Sequence, residues 1–125
     1  MRVHQIFRDV IMEFSRPGQV LGNLLFELLS EALGLMSDYF KDMDCGKGHL
    51  IFCRYYPSCP EPELTMGTTS HTDPDFLTIL LQDILVDYKF WSRINRLMCP
   101  PIIGALVVNI GDLLQVREHA KFHLI

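Results

Sequence analysis

Apolar side chains recur at helical spacing through residues 1–45. Ile6, Val10, Ile11 and Phe14 predict a first helix, which Pro17-Gly18 is expected to end or kink. A wide stripe with a period of 3.6 then predicts a second helix, expected to form core and to stop at Gly34. The stripe consists of Leu21, Leu24, Leu25, Leu28, Leu29, Ala32 and Leu33. Ser37-Asp38 is predicted to cap a short third helix that runs to about Met43.

The pattern changes after Gly46 and Gly48, where β-branched and aromatic residues replace the helical stripe. The segment Leu50–Tyr56 is predicted to form a strand that Pro57 and Pro60 end. Further strand candidates are Met66–His71, Phe76–Gln82, Ala105–Ile110 and Leu113–Val116. Helices followed by strands predict an α+β fold, in which the strands form part of a sandwich or barrel.

The stretch from Ile84 to Cys99 has neither a clean helical nor a clean strand pattern. It contains no Gly or Pro that would make a hairpin turn between its two halves. We therefore predict an irregular or weakly helical connection here, and we expect it to be the least regular part of the interior.

Candidate chemistry is concentrated in His71-Thr72-Asp73, just before the apolar run Phe76–Leu81. In an extended backbone, side chains at i and i+2 point to the same face. His71 and Asp73 are therefore predicted to bind one metal ion together. An imidazole, a carboxylate and a second His make up the facial triad of non-haem Fe(II) oxygenases. The alternative for an isolated His-x-Asp is a surface turn. A zinc hydrolase is disfavoured, because the sequence has no His-Glu-x-x-His motif.

Composition narrows the class of protein. The 125 residues include 49% apolar residues, and 11 basic against 15 acidic groups give a formal charge of −4. No basic run indicates nucleic acid, and no apolar run is long enough to span a membrane. The amino-terminal residues lack a signal-peptide core, so we expect a cytoplasmic protein whose four cysteines are reduced.

Several strings, in order, resemble one known family. They are Arg54-Tyr55-Tyr56-Pro57-Ser58-Cys59-Pro60-Glu61-Pro62, then His71-Thr72-Asp73-Pro74-Asp75-Phe76-Leu77-Thr78-Ile79-Leu80-Leu81-Gln82-Asp83, and Gly104 to Gln115. Together they resemble the plant Fe(II)/2-oxoglutarate-dependent dioxygenases. The helix from Leu21 to Leu35 is similar to the aminocyclopropane-carboxylate oxidase homologues within that family.

The resemblance implies a double-stranded β-helix, or jelly-roll, preceded by helices. On this reading residues 1–125 are a partial dioxygenase domain, with a helical lead at 1–45 and an incomplete jelly-roll at 49–125. It implies Fe(II) as metal, 2-oxoglutarate as co-substrate, and oxidation of a small organic substrate with O₂, as in plant secondary metabolism. His71 and Asp73 would be metal ligands, and Tyr56 would contact the 2-oxoglutarate carboxylate. Arg54 stands where the family often has Asn.

The chain also departs from the family pattern. By register, the second iron-binding His and the Arg-x-Ser pair for the far carboxylate of 2-oxoglutarate would fall beyond Ile125. His119 and His123 are the only histidines after Asp73, and both are off that register. The sequence therefore leaves two hypotheses: an oxygenase of this family, or a non-catalytic fragment or pseudoenzyme that lacks the second His.

Overall fold

A computed structural model describes residues 3–65, 67–83, 88–91 and 96–117. The chain divides into two compact units, Met1–Thr72 and Asp73–Ile125. The first unit contains the helices α1 and α2, and the second contains four strands, β1 to β4, and a short helix, α3. The predicted order of helices before strands is therefore confirmed.

One long helix replaces the two that the sequence predicted. Helix α1 runs from Val3 to Ala32 with Pro17 inside it, so Pro17-Gly18 does not end the helix. Proline removes one backbone donor and costs about 3 kcal/mol in a helix interior, and helix α1 continues through it despite this cost. The predicted stop at Gly34 is confirmed: Gly34 has φ +72°, and the Leu35 amide bonds back to the Ser30 carbonyl at 2.9 Å.

The core of the first unit lies on the side of α1 that carries Phe26 and Ser30. Helix α2, Tyr39–Asp42, is the predicted third helix, and its Phe40 is fully buried with its ring centroid 6.0 Å from that of Phe26. Residues two positions apart lie on opposite sides of a helix, so Leu28 faces away from this core and is 53% exposed. The prediction that the leucine stripe forms the core is wrong for Leu24 and Leu28, because α2 packs against the other face.

The segment Leu50–Tyr56 does not form the predicted strand. A strand needs a partner for its backbone groups, and the described residues contain only two strand pairs, neither of which includes this segment. Leu50 and Tyr55 are more than four-fifths exposed at 83% and 87%. The described part of Met66–His71 is likewise without strand structure, while a 3₁₀ turn occupies Pro62–Leu64.

The centre of the second unit is an antiparallel pair of β1, Leu77–Leu81, and β4, Leu106–Ile110. Both strands were predicted. Leu77 lies opposite Ile110, and Leu81 lies opposite Leu106. The pairing brings the start of β1 to the end of β4, where Gly111 follows.

The stretch between β1 and β4 contains a second antiparallel pair, which corrects the prediction of an irregular connection. Strand β2, Tyr88–Trp91, pairs with β3, Arg96–Cys99, with Tyr88 opposite Cys99. The aromatic content of β2 favours a strand. Residues 84–87 and 92–95 lie outside the described part of this stretch.

Helix α3, Asp112–Arg117, replaces the strand predicted at Leu113–Val116. The Leu114 and Gln115 amides both bond to the Gly111 carbonyl at 3.2 Å, which starts a helical turn directly after β4. Leu114 is fully buried. No helix among the described residues combines the length and apolar character needed to cross a membrane.

Candidate functional site

His71 lies in an exposed segment without regular secondary structure after Gly67. Its ring Nδ1 is 2.8 Å from the backbone oxygen of Thr69. A carbonyl oxygen can only accept, so Nδ1 carries the hydrogen that is donated, and in the neutral ring the lone pair lies on Nε2. Metal-binding histidines commonly donate their other ring nitrogen to a carbonyl or carboxylate in this way. The local geometry of His71 therefore suits a metal ligand.

Tyr56 belongs to the same unit and lies close to the segment that carries His71. Its hydroxyl is 3.0 Å from the hydroxyl of Thr68, three residues before His71. Hydrogen bonds with Thr68 and with Arg54, together with the Arg54 charge, lower the pKa of Tyr56 from its usual value. The contact attaches a hydrogen-bonding phenol to the segment that carries a candidate metal ligand.

Asp73 is fixed in the second unit through both its backbone and its side chain. The Asp112 amide donates to the Asp73 carbonyl at 2.9 Å. The Thr78 hydroxyl donates to Asp73 Oδ2 at 2.8 Å. Because Thr78 is part of β1, the strand pair holds the carboxylate through a short side-chain contact.

The neighbouring carboxylates belong to the same arrangement. The Leu113 amide donates to the Asp75 carbonyl at 3.1 Å, and the Gly111 amide donates to the Phe76 carbonyl at 3.0 Å. Partial burial of its carboxyl raises the pKa of Asp75; the hydrogen bond from Thr78 opposes this shift, and the charges of Asp73 and Asp112 add to it. The turn from Gly111 to Leu113 thus holds the whole Asp73–Phe76 segment.

Gly111 has no room for a side chain. A Cβ at this position would overlap the backbone carbonyl and the carboxylate of Asp75. Glycine is therefore required where β4 passes the Asp73–Phe76 segment, for reasons of close approach and not of backbone dihedrals.

The described residues do not bring three candidate ligands together. Within the described ranges, no group of three His, Cys, Asp or Glu side chains is placed to hold a metal ion. His71 and Asp73 lie on either side of the boundary between the two units. That they face one ion stays a prediction from their i, i+2 spacing. His119 and His123 fall outside the described residues.

The sequence profile of the 2OG-Fe(II) oxygenase superfamily matches residues 47–124, a span that contains Tyr56, His71 and Asp73. The chain belongs to this superfamily. Residues 47–124 include all four strands and helix α3, so the oxygenase match covers the second unit and the end of the first.

Curated plant proteins resemble the chain over almost its whole length. It is 49% identical over 118 residues to 1-aminocyclopropane-1-carboxylate oxidase homolog 3 of Arabidopsis thaliana, which covers 94% of this chain and 32% of that protein. It is 53% identical over 114 residues to homolog 6 of the same plant, covering 91% and 32%. The oxygenase chain thus spans about a third of the length of these relatives. No solved structure matches it.

Sequence reasoning missed the residues that hold the candidate ligands. Thr78 is the one polar residue in the run Phe76–Leu81, directly after two carboxylates, and this interruption was the available signal. Asp112 follows Gly111 and has no sequence signal of its own for this role, yet its amide fixes the Asp73 carbonyl. The Thr68 contact with Tyr56 has no periodic signal, because it joins two irregular segments.

Proposed function

We propose that this chain carries metal-binding residues of an oxidoreductase. The enzyme would use Fe(II), 2-oxoglutarate and O₂ to oxidise a small organic metabolite. His71 and Asp73 would bind the iron, and Tyr56 would contact the co-substrate carboxylate. A complete jelly-roll around this segment, a cytoplasmic location and a role in plant secondary metabolism belong to the same proposal. The oxygenase family match carries it.

The donor chemistry of the described residues fits the metal. Imidazole and carboxylate are the ligand types of the non-haem Fe(II) facial triad. The hydrogen bond from His71 Nδ1 to Thr69 assigns the lone pair of the neutral ring to Nε2, and the hydrogen bond from Thr78 orients the Asp73 carboxylate. When bound, the iron would supply redox chemistry and positions for O₂ and 2-oxoglutarate.

The protein's own residues would bind and orient the reactants. The Tyr56 hydroxyl, which lies against Thr68, can donate a hydrogen bond to a carboxylate oxygen. It is 46% exposed, so a small anion can reach it from solvent. Arg54 lowers the pKa of Tyr56 and also places a positive charge near this hydroxyl, which favours an anionic co-substrate.

A non-catalytic role is the second candidate. It is favoured by the finding that the described residues hold no three-ligand metal group. The two candidates differ in turnover: only the first predicts oxidation of a substrate with consumption of 2-oxoglutarate.

The test is calorimetric titration of the purified chain with Mn²⁺. This ion prefers similar ligands to Fe²⁺ but does not react with O₂ during the titration. We expect weak, saturable binding that His71→Ala and Asp73→Ala abolish. His4→Ala removes an exposed histidine of α1 and serves as the matched control. Binding that survives both His71→Ala and Asp73→Ala would overturn the proposed site.

A further inference from the structure

A threonine hydroxyl and the Asp73 carboxylate form a short side-chain hydrogen bond near the candidate metal site in the second unit. Thr78 Oγ1 lies 2.8 Å from Asp73 Oδ2, and 3.2 and 3.4 Å from the two carboxylate oxygens of Asp75. A hydroxyl has one hydrogen to donate, and the shortest of the three contacts takes it. Asp73 is therefore the principal acceptor.

The position of Thr78 is determined by the sheet. It lies opposite Asn109 in the β1–β4 pair, and the ladder is extended beyond the strands by the Gly111 amide, which bonds to Phe76. The backbone of Asp73 is held by the Asp112 amide from the same turn. The strand pair thus fixes the Asp73 main chain at one point and its carboxylate at another.

We infer that Thr78 is a positioning residue for the metal site, whose hydroxyl orients the Asp73 carboxylate towards a divalent cation. This inference rests on the proposed function of Asp73 as a metal ligand. A carboxylate is planar, so a hydrogen bond to Oδ2 sets the direction of both oxygens. Groups that hydrogen-bond to metal ligands typically change metal affinity by 10–100-fold when they are removed.

The distinction between a positioning role and a merely structural one lies in the hydroxyl. Valine has nearly the shape of threonine, and both residues are β-branched, so Thr78→Val keeps the strand propensity of β1 and removes only the donor. Thr78→Ser keeps the donor and removes the methyl group. A structural role would make serine the more damaging change, whereas a positioning role makes valine the more damaging one.

The experiment is Mn²⁺ titration of the wild-type chain, Thr78→Val, Thr78→Ser and the control Thr65→Val, which removes an exposed hydroxyl of the first unit. We expect Thr78→Val to weaken binding about tenfold, with Thr78→Ser and Thr65→Val close to wild type. The Asp73 carboxyl ¹³C resonance of the metal-free protein is measured alongside, and we expect it to shift in Thr78→Val only.

The outcomes separate this inference from the proposed function. If wild type binds Mn²⁺ through His71 and Asp73 but Thr78→Val binds equally well, the positioning role is wrong and the proposed function stands. An unchanged Asp73 carboxyl resonance in Thr78→Val would also overturn the positioning role, whatever the metal does. If His71→Ala and Asp73→Ala leave Mn²⁺ binding unchanged, the proposed site is wrong, and the inference that rests on it falls too.

Discussion

At the scale of single residues, the candidate site consists of functional groups held by short polar contacts. His71 Nδ1 is fixed by the Thr69 carbonyl, the Tyr56 hydroxyl by Thr68, and the Asp73 carboxylate by Thr78. Each partner is a threonine close in sequence to the group it holds or to a neighbouring candidate ligand. Local hydrogen bonds can therefore orient these groups without a large buried core around them.

The Tyr56–Thr68 contact gives a prediction about ionisation. Because hydrogen bonds to the phenolate favour the charged form, removing the Thr68 hydroxyl raises the pKa of Tyr56 back towards its ordinary value. Titration of Thr68→Val by tyrosinate absorbance should show ionisation at higher pH than in wild type, with Tyr56→Phe identifying the transition. An unchanged pKa of Tyr56 in Thr68→Val would show that this contact does not form in solution.

Gly111 gives a prediction about packing. Gly111→Ala places a methyl group against the Asp75 carbonyl and carboxylate, so the turn or the Asp73–Phe76 segment must shift. We expect a loss of about 1–3 kcal/mol in the free energy of unfolding, typical of overpacking, measured by urea denaturation. Gly48→Ala, where a Cβ meets no atom within 4 Å, is the control. Equal stability of the two variants would contradict the close approach.

At the scale of elements, the two strand pairs and the short helices differ in how well the sequence indicated them. Strands β1 and β4 were predicted because each is an apolar run next to turn residues, with Pro74 before β1 and Gly104 and Gly111 on the two sides of β4. The pair β2–β3 was missed because its strands are short and no Gly or Pro between them indicates a turn. Leu50–Tyr56 has strong strand propensity but no partner among the described residues, and propensity alone does not make a strand.

The candidate site, like the strands, was predictable from the sequence only in part. The residue types and spacing of His71 and Asp73 indicated metal chemistry, and the surrounding strings indicated the family. The hydrogen bonds from Thr78 and from the Gly111–Leu113 turn were not predictable, because they depend on the pairing of two strands with 24 residues between them along the chain. Tertiary contacts of this kind have no local sequence pattern.

The contact between α1 and α2 gives a prediction about stability. Phe40 is fully buried against Phe26, so Phe40→Ala should lower the free energy of unfolding of the first unit by about 3 kcal/mol. Phe52, which is 76% exposed, provides the matched control, and Phe52→Ala should change it by less than about 0.5 kcal/mol. Urea denaturation followed by circular dichroism measures both. Similar losses for the two variants would contradict the assignment of the core.

At the scale of the whole molecule, the chain matches a known family but covers only part of the length of its relatives. It belongs to the 2OG-Fe(II) oxygenase superfamily, and it spans about a third of the Arabidopsis relatives described above. The activity of any longer protein that carries these residues is therefore a proposal. Under this proposal His71 and Asp73 would be two of the three protein ligands expected for the iron.

Turnover by the 125-residue chain is expected to be low. A metal site with two protein ligands is weak, and the Arg-x-Ser pair expected to hold the far carboxylate of 2-oxoglutarate does not occur in this sequence after Gly104. The rate at which the wild-type chain releases CO₂ from labelled 2-oxoglutarate in the presence of Fe(II) should be close to the rate for the His71→Ala variant. Robust release that His71→Ala abolishes would contradict this prediction, and alanine variants of His119 and His123 would then identify a substitute ligand.

The central claim is that His71 and Asp73 share one metal ion. The most direct measurement is the NMR spectrum of isotope-labelled protein during addition of Mn²⁺, whose unpaired electrons broaden signals of nearby nuclei. We predict that the His71 ring and Asp73 carboxyl signals broaden first and together, while those of His4 and His49 persist. Broadening of the His71 signal or the Asp73 signal without the other would contradict a shared site. Broadening of the His4 and His49 signals before these two would contradict it as well.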